Sequence, residues 1–129
     1  MDPIIENQNN NKTYFKLLFY LYILLVFILS IYPFDKSIDT GNDKINHIAA
    51  YTIYSILFIS AFGDKNKKLM LLTGLVYGTS IEFIQYFLPY RSFELLDIAA
   101  NAAGLFLGLF LTAGTEIFIK RRKYKKLEK

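Results

Sequence analysis

The chain has 129 residues, 53% of them apolar, with 12 phenylalanines and 10 tyrosines. That length holds one small domain, and that composition excludes an ordinary soluble domain of this size. There is no cysteine, which excludes disulfides and thiolate metal sites. The net charge is +4, and seven of the fifteen Lys and Arg fall in residues 120–129. Directly behind an apolar run, such a cluster reads as an anchor against anionic membrane lipids. A nucleic-acid partner is therefore not expected.

Residues 1–13 are polar and Asn-rich and are expected to form a mobile tail. Residues 14–34 are almost uninterrupted aliphatic and aromatic side chains, and Pro33 suits the end of that helix. Lys12 and Lys16 ahead of it resemble the flank of a signal peptide. The run is long, however, and no small-residue cleavage site follows, so a retained helix is expected. After a short loop, a second helix is predicted over 44–62, with Asp43 as its N-cap. "GDKNKK" is a tight basic loop. The third helix is predicted over 69–88, stopping at Pro89, and the fourth over 93–119, with Ser92 as N-cap. The expectation is an all-α polytopic membrane protein, an antiparallel bundle of four transmembrane helices over 14–119 followed by a basic cytoplasmic tail, 120–129. The runs lack the alternating polarity of a β-barrel.

Loop charges orient the bundle. Lys12, Lys16, Lys65, Lys67, Lys68 and the basic tail lie on one side, and only Lys36, Lys44 and Arg91 on the other. Both termini are thus expected in the cytoplasm, with the first and third loops outside. His47, Glu82, Arg91 and Asp97 then share one layer beneath the outer surface.

Helical spacing groups these residues into stripes. Asp43, His47 and Tyr51 share a face of the second helix, with Lys44 beside it. Gly74, Gly78, Glu82 and Gln85 share a face of the third, and Asp97, Asn101, Gly104 and Gly108 a face of the fourth. The two G-x-x-x-G pairs predict a close contact between helices three and four, below a polar opening. Leu109 is taken as lipid-facing. Structural readings stand beside this one: Glu82 pairs with Arg91, His47 serves as an interhelical hydrogen-bond partner, Glu94 favours a helix N-terminus, and Glu116 pairs with Lys120. Carboxylates in hydrocarbon are nonetheless costly, roughly 2.5–3.5 kcal/mol on insertion scales, and their convergence points to a pocket.

"DKINHIAAY" and "YGTSIEFIQYFLPYRSFELLDIAANAAGLFLG" resemble the two signature elements of VanZ-like membrane proteins: D-K-x-x-H-x-x-x-Y, then G-x-x-x-E-x-x-Q, P-x-R and D-x-x-x-N-x-x-G-x-x-x-G. The matching residues are Asp43, Lys44, His47, Tyr51, Gly78, Glu82, Gln85, Pro89, Arg91, Asp97, Asn101, Gly104 and Gly108. The resemblance implies a bacterial inner-membrane protein acting in the cell envelope, in a family associated with resistance to the glycopeptide teicoplanin. From the residues themselves, His47, Glu82 and Asp97 are the candidates for proton transfer. Asp43, Lys44, Tyr51, Gln85, Arg91 and Asn101 are candidates for holding a lipid-linked or anionic envelope ligand. No cofactor motif is present. Asp43, His47, Glu82 and Asp97 could instead hold a divalent metal, but their spacing is not diagnostic and no metal is assigned. The alternative is a non-enzymatic scaffold or partner-binding subunit whose polar layer is structural; a transporter is a further option.

Overall fold

The computed structural model describes residues 3–33 and 43–127, with side chains described over 10–33 and 43–115. It contains α1 (Pro3–Ile31), α2 (Asp43–Phe62), α3 (Lys67–Tyr86) and α4 (Leu95–Leu127). A single 3-10 turn, Asp64–Asn66, joins α2 to α3, and the described residues form no strand. The first loop with Lys36, and the expected Glu116–Lys120 pairing, lie outside the described residues and side chains.

Several expected boundaries shift. Residues 3–13 are helical and continue into α1, and helix persists through Leu127 into the basic tail. α3 ends at Tyr86 and α4 starts at Leu95, so Ser92 is not its N-cap. The Ser92 hydroxyl instead bonds the Glu94 carboxylate. Glycine ends α2: Gly63 takes φ +87°, which a side chain would disfavour, and its N–H donates to Ile59 O at 2.8 Å. Asn66 Nδ2 adds a 2.6 Å bond to Phe62 O.

Three helices, over Asn10–Ile31, Asp43–Phe62 and Leu95–Thr115, are long and apolar enough to cross a membrane. α3 is not among them, which departs from the expected four. Its polar groups explain the difference. Glu82 and Gln85 are buried inside the bundle, whereas Leu72, Val76 and Phe83 on its outer side are 58–61% exposed. α3 is polar within and apolar outside.

Contacts run in opposite register along consecutive helices. Tyr54 meets Thr73 and Ser55 meets Met70 between α2 and α3, while Gly74 faces Leu105 and Gly78 faces Asn101 between α3 and α4. The core gathers Phe19, Tyr51, Tyr54, Phe58, Ile59, Ala61, Met70 and Leu105 from all four helices. Edge-on ring contacts of Phe19 with Tyr54, Phe58 and Phe62 fasten α1 to α2. Leu109, expected to face lipid, is half-buried and packs against this core, whereas its neighbour Phe110 is 75% exposed.

The closest seam is not the expected one. A β-carbon on Gly104 would strike Ile48 O, and one on Gly108 would lie 2.6 Å from Thr52 O and 2.5 Å from Ser55 Cβ. Gly104 and Gly108 therefore admit the backbone of α2, not of α3. Thr52 Oγ1 bonds Gly104 O at 3.2 Å and Ser55 Oγ bonds Leu105 O at 3.0 Å across this seam. Gly74 and Gly78 make room for side chains instead: Leu105 at Gly74, Asn101 Nδ2 and Tyr51 Oη at Gly78.

Candidate functional site

Both α2 and α4 begin at the same end of the bundle, each with an aspartate in its first turn, Asp43 and Asp97. Carboxylates are favoured there because helix N-termini present unpaired N–H groups and the positive end of the macrodipole. The end of α3 and the 91–94 segment bring Glu82, Gln85, Arg91 and Glu94 to the same level.

Lys44 is the hub of the charged part. Its Nζ lies 2.5 Å from Glu94 Oε2 and 3.1 Å from Asp97 Oδ1. The hydrogen bond and charge of Lys44 hold the Glu94 carboxyl below the usual carboxylate range. Asp97 is 4% exposed and also faces His47, Oδ2 to Nε2 at 3.7 Å. Asp43 Oδ2 lies 4.0 Å from the same Nε2. His47 Nδ1 meets Asn101 Oδ1 at 2.8 Å. Since Asn101 Oδ1 only accepts, Nδ1 carries the proton and Nε2 is left facing the two aspartates.

Glu82 is fully buried. Its Oε2 is 3.4 Å from the backbone N of Glu94, and its Oε1 has no hydrogen-bond partner among the described residues. The expected Glu82–Arg91 pair does not form, and Arg91 has no ion-pair partner among the described residues. Gln85 Nε2 donates to Ser30 O at 2.9 Å, and Tyr90 Oη to Ile31 O at 2.8 Å. These bonds satisfy two of the last carbonyls of α1, which have no partner within the helix. Tyr51 is in the core, 3% exposed and stacked on Tyr54.

Beside this layer is a cavity of about 490 Å³. Asp43, Asn46, His47, Gln85, Arg91 and Asn101 form its polar wall. Leu25, Val26 and Leu29 of α1, with Ile53 and Ile81, form its apolar wall. The structure thus brings the candidates of three stripes together, and Asp97 and Glu82 sit behind the polar wall. Sequence reasoning overlooked Asn46, although it lies three residues from Asp43 on one helical face. It also gave Glu94 only an electrostatic role at a helix end, whereas Glu94 anchors Lys44 and its N–H approaches Glu82.

A protein of Schizosaccharomyces pombe, named only as uncharacterized, is 33% identical over 110 residues, which cover 81% of this chain and 66% of that protein. The chain thus spans just under two thirds of the length of that relative. A fungal relative also means that a bacterial source is not shown by kinship. No solved structure matches the chain. The family comparison agrees with the signature residues now seen around one polar layer: residues 19–119 match VanZ/LLP1, and the chain belongs to the VanZ/LLP1 family.

Proposed function

We propose that this chain is a four-span membrane protein whose cavity binds an amphiphile with an anionic headgroup, such as a lipid-linked envelope component. One observation carries the reading. Arg91, with no carboxylate partner among the described residues, lines a cavity whose facing wall is aliphatic side chains of α1. A guanidinium binds phosphate or carboxylate through a planar fork, and an aliphatic wall suits an acyl or prenyl chain. The exposed apolar side of α3 supports its spanning the membrane with the other three helices. The basic residues of the α2–α3 turn lie at the end opposite the cavity, which supports an outward-facing pocket with both termini in the cytoplasm. His47, on the polar wall, is the group available for moving a proton at the bound headgroup, with Asp97 behind it 3.7 Å from its Nε2. A link to glycopeptide resistance stands on the family resemblance alone. The Lys44–Glu94 pair favours a structural role for those two residues, as a scaffold reading requires, but not for Arg91.

The experiment uses purified protein in detergent and a polyprenyl phosphate, with the polyprenol of equal length as control. Thermal protection should follow the phosphate and not the alcohol. Arg91→Lys should weaken it about tenfold or more, as expected for a charge-assisted hydrogen bond worth ~1.5 kcal/mol. Equal protection by the alcohol, or an Arg91→Ala variant that still responds, would remove the proposal.

A further inference from the structure

We infer that Asp43, His47 and Asp97 form a site for a first-row divalent cation, Zn²⁺ or Mn²⁺, at the polar wall of the cavity. Their potential ligand atoms all lie within 4.8 Å of one another. The imidazole tautomer is the first support. Asn101 accepts from Nδ1, so the lone pair of Nε2 points toward Asp97 Oδ2 at 3.7 Å and Asp43 Oδ2 at 4.0 Å. With Nδ1 bonded to Asn101, Nε2 is the ring nitrogen left to ligate, and two carboxylate oxygens converge on it. A second group that fixes the tautomer of a histidine is the usual companion of a metal ligand.

The charge around the site is the second support. Lys44 is shared between Glu94 and Asp97, which leaves Asp43 without a cation of its own among the described residues. Without counting the buried Glu82, Asp43, Glu94 and Asp97 are three carboxylates around one lysine, and Arg91 on the same wall makes no ion pair with them among the described residues, so a divalent ion would balance the excess. Bonds of about 2.0–2.2 Å at tetrahedral angles place ligand atoms roughly 3.3 Å apart. The pairs involving His47 must close by well under 1 Å. Asp43, whose side chain is 42% exposed, has room to move. One imidazole and two carboxylates suit Zn²⁺ or Mn²⁺, and three protein ligands leave positions open.

The test measures the metal alone, without amphiphile, so its failure leaves the headgroup reading standing. Chelator-stripped full-length protein in detergent is titrated with Zn²⁺ and with Mn²⁺ by calorimetry, and bound Mn²⁺ is counted by electron paramagnetic resonance. One saturable equivalent is expected. Asp43→Asn, an isosteric change at a half-exposed position, should weaken binding on the order of tenfold or more, and His47→Ala likewise. Asp64→Asn removes a carboxylate in the turn at the opposite end of the bundle, 43% exposed, and should change affinity by less than about threefold, since exposed charges are screened. Absence of saturable binding, or an equal loss in Asp64→Asn and Asp43→Asn, overturns the site.

Discussion

Glu82 is buried, with one oxygen 3.4 Å from the backbone N of Glu94 and the other unpartnered. A buried polar atom without a partner costs about 1–3 kcal/mol, more when charged. The isosteric Glu82→Gln removes any buried charge without changing shape, so it should stabilise the protein by about 1–3 kcal/mol while leaving headgroup-dependent protection intact, because Arg91 and not Glu82 lines the cavity. Thermal unfolding in detergent reads the first effect, and amphiphile-dependent protection the second. A lower melting temperature for Glu82→Gln would make the carboxylate a structural partner instead. The sequence placed Glu82 and Arg91 in one layer, and the structure does too. What it could not convey was that they do not pair. Arg91 follows Pro89 in a turn closed by Arg91 N–H to Leu88 O at 3.1 Å, and the conformation of that turn directs its side chain to the cavity wall.

Among the elements, the stripes on α2, α3 and α4 were legible because helical spacing alone puts Asp43 with His47, Glu82 with Gln85, and Asp97 with Asn101. The partner of the glycine face was not. A G-x-x-x-G pair says that a face is flat, not which helix lies on it. The answer was present in α2, where Ile48, Thr52 and Ser55 make a matching face of partly small residues at spacings of four and three. The consequence is an order of tolerance. Gly104→Ala and Gly108→Ala drive a methyl into backbone carbonyls of α2, which cannot move aside, and each should cost about 1–3 kcal/mol. Gly74→Ala meets the end of the Leu105 side chain, which can turn away, and should cost less. Phe110→Ala, on the exposed face, should cost least. Aggregation temperatures of the four variants in one detergent test the order. If Gly74→Ala were as damaging as Gly104→Ala, the α2–α4 seam would not be the tightest contact.

For the molecule as a whole, what decides the topology is whether α3 crosses the membrane. Composition marked α1, α2 and α4 plainly, because their mean hydropathy is that of a membrane span. α3 is ambiguous by composition because Lys67 and Lys68 open it and Glu82 and Gln85 are buried near its end, so its average understates its outer surface. That surface, with Leu72, Val76 and Phe83 exposed, would be a large apolar stripe in water. In lipid it is a matched one. Lys65 and Ser92 flank α3 and lie at opposite ends of the bundle, and both side chains are exposed. The chain has no cysteine, so single thiols there have no background. In intact cells an impermeant thiol reagent should label Ser92→Cys and leave Lys65→Cys unlabelled until the membrane is opened. If α3 does not cross, the two thiols share one side and label alike. If α3 crosses but the basic-residue rule misleads, only Lys65→Cys reacts, and the cavity faces the cytoplasm. The outward cavity requires the first pattern, because Arg91 and Ser92 belong to the same segment.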